Sequence, residues 1–282
     1  MPVDYHNHTS RCGHAGGETR DYVLRAIAAG LQEIAITDHL FLYDRLPASR
    51  DPRFAMREEE LPGYVEEVQR IQEEFSGRIH VRLGIEADYF EGHEARLAEI
   101  LSRYEWDVVL GSVHWVAGDW IDFTAERMEK GNPERLWQEY WRLLRKACAS
   151  GFFDVMTHFD LPKKFGNRCP EELEELAEMA VASAAAADVA VECSTAGWRK
   201  PVGEQYPSAP VLTLLLHYGV PLTLSSDSHA PAEVAWGYDR LIPWLLEFGV
   251  DQVAGFKKRR RHRLAIAPEG AEERTRVEQP IL

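Results

Sequence analysis

His6 and His8 lie two apart in a strand-like opening, and His14 follows beyond the turn-prone segment 11–13. In an extended backbone residues i and i+2 face the same way, so the two imidazoles can aim at one point, as a pair of metal ligands would. Such a pair also arises by accident, and alone it is compatible with two solvent-exposed histidines near a terminus. The rest of the chain gives it weight, because His39, Glu86, His114, His158, Asp227 and His229 also stand at the ends of strand-like segments. Eight residues thus recur at the same relative position of six strands, and His14 on the first loop makes nine N and O donors. Nine is too many for one cation. At three or four protein ligands per catalytic ion they suit two or three ions with positions left for water and substrate, and a carboxylate such as Glu86 can bridge two of them.

The elements that must carry these residues alternate. Short, β-branched apolar runs at 33–39, 80–86, 107–114, 154–158, 189–193 and 221–226 read as buried parallel strands. Helical spacing of apolar residues fills 18–30, 58–75, 91–104, 134–150, 171–187 and 210–218, with Trp137, Tyr140, Trp141 and Leu144 on one face of the fourth. With the opening strand this makes seven strands, and strand–helix alternation implies parallel pairing with right-handed crossovers, in a barrel or a doubly wound sheet. Side chains at the C-terminal ends of barrel strands converge on one face. Residues 40–57 read as an irregular excursion over that face, of the kind that serves as a lid or substrate loop, and 115–132 as a Trp- and Asp-containing loop.

Composition removes several classes of function. The chain has 282 residues, and 46 acidic against 32 basic side chains give a formal charge of −14, which argues against general nucleic-acid or anionic-membrane binding. The run 257–263 is strongly basic and reads as a solvated helix end. The four cysteines show no paired spacing, so neither a disulfide framework nor a zinc finger is indicated, and a cytoplasmic setting fits. No apolar run suits a signal peptide or a membrane span. GxxxxGK[ST] and a strand-linked GxGxxG are absent, and Gly92-His93-Glu94 does not continue as HExxH. His80, His93, His217 and His262 fall at strand starts, in helices or in the basic run, and are assigned no ligand role.

The set His6-x-His8, Cys12-Gly13-His14-Ala15, Thr37-Asp38-His39, Glu86, Gly111-Ser112-Val113-His114, His158 and Asp227-Ser228-His229 resembles the polymerase-and-histidinol-phosphatase (PHP) superfamily of metallohydrolases, over about residues 3–230. The resemblance implies a distorted seven-stranded (β/α) barrel, TIM-like, as a single domain over 1–268 with a C-terminal tail over 269–282. It also implies a trinuclear centre. One ion would be held by His6, His8, Glu86 and Asp227, a second by Glu86, His114 and His158, and a third by His14, His39 and His229. Within the superfamily, Thr157-His158-Phe159-Asp160-Leu161-Pro162, Gly197-Trp198-Arg199-Lys200-Pro201, Glu204 and Tyr206-Pro207-Ser208 resemble the monofunctional histidinol-phosphate phosphatases. Ser194 stands where that pattern has Asn.

The activity so implied is hydrolysis of the small phosphate ester L-histidinol phosphate, a step of histidine biosynthesis, with Zn, Fe or Mn as cofactor. Bound cations lower the pKa of water for in-line attack on phosphorus. Glu86, Asp227, His229 and Arg199 form the expected catalytic group, and Arg199, Lys163, Ser194 and Asp160 the expected substrate contacts. Arg199 offers a planar fork matched to two phosphate oxygens, and it follows Gly197, whose freedom at positive φ suits a turn that brings backbone close to a site. The alternatives are a phosphatase for another small phosphomonoester or a nucleotide, a nuclease, a carbon–nitrogen hydrolase of the amidohydrolase type, and a non-catalytic metal-binding module. No strand-end Lys of the kind the amidohydrolase reading requires is present, and a structural metal site closes with four ligands.

Overall fold

The computed structural model describes residues 1–40, 55–117, 119–121 and 132–266. The expected excursion over 40–57, the loop over 115–132 and the tail over 269–282 lie largely or wholly outside them. Seven parallel strands form the wall: β1 (Val3–Asp4), β2 (Glu33–Ile36), β4 (His80–Asp88), β5 (Val108–Ser112), β8 (Val155–Met156), β9 (Ala190–Ser194) and β10 (Leu222–Ser225), each paired with the next in that order. A two-residue strand, β3 (His39–Leu40), continues past the end of β2 and pairs with β4 at Glu86 and Ala87. The ring closes between its first and last strands: Tyr5 N donates to Leu224 O (3.2 Å), Ser228 N to His6 O (3.0 Å) and His8 N to Ser228 O (2.9 Å). The barrel reading is therefore the correct one, and the doubly wound sheet is excluded.

Helices cover the outside of the wall: α1 (Thr19–Ala28), α2 (Leu61–Glu74), α3 (Glu94–Leu101), α4 (Pro133–Ala149), α5 (Glu174–Ala186), α6 (Ala209–His217) and α7 (Tyr238–Glu247). The strands are apolar throughout because side chains on one side fill the barrel and those on the other meet helices. β4 buries every residue after His80. Asn132 caps α4 by accepting from the N–H groups of Glu134 and Arg135, with Pro133 at the first helical position, and the helix buries Trp137, Tyr140, Trp141 and Leu144 as their spacing predicts. Gly111 sits in β5 because a Cβ there would meet the Phe153 ring at 2.3 Å. A small antiparallel pair, β6 (Trp115–Val116) with β7 (Asp119–Trp120), follows β5, the fourth wall strand.

The basic run 257–263 is a correction. It forms no helix end but the tip and return strand of a hairpin, β11 (Gln252–Lys257) with β12 (Arg260–Ala265). Lys258 and Arg259 make its two-residue turn, both with positive φ (50° and 60°), as the twist of a tight hairpin requires. The charges are organised by acids at the N-terminal ends of the wall strands. Lys258 N donates to Asp107 Oδ1 (3.0 Å), Arg259 Nε to Asp154 (3.1 Å) and Arg261 Nη2 to Asp188 (2.8 Å), and His262 Nε2 lies 2.9 Å from Glu33 Oε1. The hairpin thus covers the end of the barrel opposite the ligand-bearing ends of the strands. Neither it nor α7 was expected from the sequence. Alternation in β12 is short and almost wholly charged, and Pro243 lies within α7.

Glu33 is the buried hub of this end. It takes both Arg82 nitrogens (Nε and Nη2, each 2.9 Å) and the Tyr5 hydroxyl, whose oxygen in turn accepts Phe256 N (2.8 Å). Burial pushes the Glu33 carboxyl up, but hydrogen bonds from Arg82 and Tyr5 outweigh burial and hold it below the usual carboxylate range. Glu33→Gln leaves the buried Arg82 guanidinium without its countercharge and is expected to cost roughly 3 kcal/mol in denaturant unfolding at pH 7. Because the folded pKa is depressed, this contribution is complete above the unfolded value of about 4.3 and is lost as pH falls through the folded value. The gap between wild type and variant should therefore shrink below about pH 4, and a gap constant from pH 7 to pH 3 would contradict the assignment.

Candidate metal centre

The opening strand sets the first ligands by its two-residue period. Asn7 points outward and is fastened there: its N–H donates to Thr37 Oγ1 (3.0 Å), its Nδ2 to Ala35 O (3.0 Å), and its Oδ1 accepts from Ser228 Oγ (2.5 Å). His6 and His8 consequently face the barrel axis, both buried. Glu86 arrives from the middle of β4, Ser112 and His114 from the end of β5, His158 from beyond β8, and Asp227 and His229 from beyond β10. His158 (φ 20°) and Asp227 (φ 48°) hold backbone conformations that non-glycine residues avoid, and such strain gathers at functional sites.

All nine expected donors converge. Glu86 Oε2 lies 3.1 Å from His6 Nε2, 3.4 Å from His8 Nε2 and 2.7 Å from His39 Nδ1, while Oε1 lies 3.5 Å from His158 Nε2 and 3.9 Å from His114 Nε2. Asp227 Oδ1 closes the opposite side at 3.7 Å from His6 and 3.4 Å from His8. His114 and His158 oppose Nε2 atoms at 3.2 Å, and His14 and His229 do so at 2.9 Å. Two nitrogens each about 2.0–2.1 Å from one ion, at angles of roughly 90–110°, would stand about 2.9–3.4 Å apart, and the two imidazole pairs have that spacing.

The protein leaves atoms here that it does not satisfy. His6 Nε2, His8 Nε2 and Glu86 Oε2 are buried and have no hydrogen-bond partner among the described residues. A buried polar atom without a partner costs about 1–3 kcal/mol, and three of them facing one another form a donor set suited to cations. Charge agrees with this. Burial would raise the Glu86 carboxyl, yet His39 and His6 outweigh it and hold the group well below the usual range, as a carboxylate. Burial, reinforced by His39 and His229, pushes His8 well below the usual imidazole range, into the neutral form that binds metal.

Behind the donors lies a layer that the sequence reading missed. His6 Nδ1 meets Glu192 Oε2 (2.9 Å), and the other oxygen of Glu192 accepts from His158 N (2.7 Å). His114 Nδ1 meets Asp88 Oδ1 (2.8 Å). Cys12 Sγ lies 3.4 Å from His8 Nδ1 and donates to Asp38 Oδ1 (2.8 Å), which is also held by Thr9 N (2.7 Å). Such partners orient imidazole ligands and fix their tautomers. The available signal was parity: Asp88 follows Glu86 by two in one strand, and Glu192 is an isolated acid inside the apolar β9.

A cavity of about 350 Å³, its open mouth included, lies over the cluster, walled by His39, His114, His158, Leu161, Lys164, Lys200, Tyr206 and His229. Its lysines are Lys164 and Lys200, not the expected Lys163, Arg199, Ser194 or Asp160. Lys163 turns the other way, onto Asp160 (2.9 Å) and Glu204 (2.8 Å), because the short helical turn Leu161–Phe165 sends adjacent side chains to different sides. Ser194 pairs its backbone with Tyr206. Arg199 Nη2 donates to the carbonyls of Ser226 (2.8 Å) and Asp227 (2.9 Å), while Nη1 is buried without a partner. Gly197 is not left-handed. It is needed because a Cβ would fall 1.9 Å from the Glu204 carbonyl oxygen.

Comparison with known proteins agrees with this geometry. The PHP domain family matches residues 4–196. A Deinococcus radiodurans protein named "Probable histidinol-phosphatase" is 39% identical over 250 residues, 87% of this chain and 93% of its own length. The Bacillus subtilis "Histidinol-phosphatase" is 25% identical over 85% of this chain and 97% of its own. Among solved structures, a Lactococcus lactis histidinol phosphate phosphatase complexed with zinc, L-histidinol and phosphate superposes with a TM-score of 0.80 at 21% identity, covering 93% of this chain and 100% of that one. The extent of the family match and the Deinococcus relative together place the chain: it belongs to the PHP domain family.

Proposed function

We propose that the protein is a metal-dependent phosphomonoesterase that hydrolyses L-histidinol phosphate to L-histidinol and inorganic phosphate. The observation that carries the reading is the trio of buried atoms without a partner among the described residues, His6 Nε2, His8 Nε2 and Glu86 Oε2, the last of them beneath a cavity that Glu86 lines and that has two lysines on its wall. The names of the relatives supply the substrate. In this reading His6, His8, Glu86 and Asp227 hold one divalent ion, Glu86, His114 and His158 a second, and His14, His39 and His229 a third. When bound, such cations supply Lewis-acid polarisation of phosphoryl oxygens and a water acidified toward neutral pH.

The chain's own residues do the positioning. Glu192, Asp88 and the Cys12–Asp38 pair hold the imidazoles by their far nitrogens. Lys164 and Lys200 draw the phosphate dianion into the cavity, and Leu161 and Tyr206 wall it on one side. His229 is partly exposed and lines the cavity beside Lys200 and Lys164. Arg199 acts through Asp227 as a positioning residue, by clamping the carbonyl beside a strained φ.

A panel of phosphomonoesters including a mononucleotide should give fastest turnover with L-histidinol phosphate, and a strong chelator should abolish turnover and lower Tm, since a ligand of the native state alone stabilises it by mass action. Equal turnover of the whole panel would remove the substrate assignment. Glu86→Ala is expected to be the most damaging ligand change and to lose more than one ion per chain by elemental analysis; retention of all metal would end the bridging role. Arg199→Ala is expected to lower metal affinity and kcat/KM together by about 10- to 100-fold, the scale for losing a group that orients a ligand, with partial rescue by Arg199→Lys. A fall in kcat/KM with metal affinity intact would instead put Arg199 on phosphate.

A further inference from the structure

A second cleft, of about 1530 Å³ with its open mouth included, lies outside the barrel wall between α4, α5 and α6. It is separated from the metal-facing cavity by the turn Leu161–Phe165, which presents Lys164 to one and Lys163 to the other. Asp160 lines it and is 2% exposed. Its Oδ2 is engaged by Ser208 N (2.9 Å) and Lys163 Nζ (2.9 Å), but Oδ1 is buried with no partner among the described residues. The cations of the cleft are matched, since Lys163 and the exposed Arg168 face Asp160 and Glu204. The mouth is not matched: Glu174, Glu175 and Glu178 line it with no cation among the remaining lining residues. Between mouth and floor the wall is apolar, formed by Ala177, Pro210, Val211 and Leu214.

We propose that this cleft binds a small amphiphilic organic cation, its apolar body against Ala177, Val211 and Leu214 and its ammonium donating to Asp160 Oδ1. A buried acceptor without a donor favours a ligand that brings one, and the acidic mouth raises the local concentration of cations and turns anions away. The phosphate ester itself, a dianion at its head, is the wrong charge for this cleft.

The test is equilibrium binding of phenethylammonium to the full, metal-loaded chain by calorimetry at fixed ionic strength, with 2-phenylethanol as the uncharged isostere. Saturable binding of one cation per chain is expected, with the alcohol at least about tenfold weaker, the scale of one lost charge-assisted hydrogen bond. Glu174→Gln/Glu175→Gln/Glu178→Gln, a change confined to the mouth, should weaken the cation about threefold or more, in keeping with loss of long-range attraction. Asp160→Asn should abolish binding while a thermal melt shows the fold retained. Binding of the alcohol as tightly as the cation, affinity unchanged in both variants, or no saturable binding at all would each overturn the proposal; the last would mean that water satisfies Oδ1.

Discussion

The structure depends on one electrostatic constraint: seven imidazoles and two carboxylates are packed so closely that their nitrogen and oxygen atoms meet at 2.7 to 3.9 Å. His6 Nε2, His8 Nε2 and Glu86 Oε2 are sealed from water and have no partner, so the folded chain carries a local deficit of positive charge that it cannot remedy internally. His6 shows the deficit most directly. Burial should lower its pKa, yet Glu86, Glu192 and Asp227 outweigh burial and push it well above the usual imidazole range, so a proton there stands in for a cation. Divalent ions remove the need for that proton and for the costly lone-pair contacts together.

The barrel exists to hold this arrangement against its own repulsion. Glu86 is fixed by strand pairing on both sides, to β3 at His39 and to β5 at Leu110. The closure of the ring between β1 and β10 brings His6 and His8 beside Asp227, and buried Asp4 reinforces that seam by accepting from Ser226 N (3.0 Å) and Ala235 N (2.9 Å). At the far end the hairpin ties four acids at strand starts to one basic segment. A cluster of imidazoles and carboxylates at one end and an ion-paired cap at the other bracket an apolar middle.

The convergence of these side chains was legible because strand ends can be read from apolar runs, and the side chains at those ends are types rarely placed there without purpose. His39, Glu86, His114 and His158 were found in this way. The layer behind them was not, since Glu192 and Asp88 look like ordinary acids until the fold shows which imidazole each meets. The cavity wall failed for a similar reason: Lys163 and Lys164 are equivalent in sequence, and only the tight turn that carries them sends Lys164 to the metal-facing cavity. Arg199 was expected to grip phosphate, but the carbonyls that occupy its Nη2 belong to residues 27 and 28 positions away. The basic segment read as solvated because its partners Glu33, Asp107, Asp154 and Asp188 are distributed over 156 positions of chain, from residue 33 to residue 188.

The most direct measurement of the central claim is reconstitution. Protein stripped of metal and shown by circular dichroism to remain folded is titrated with one divalent cation, and bound ions per chain are counted against turnover of L-histidinol phosphate. The account predicts that more than one ion binds per chain and that turnover rises only as the sites sharing Glu86 fill. Full turnover in folded protein carrying no ion, or with a single ion and no further binding, would contradict it.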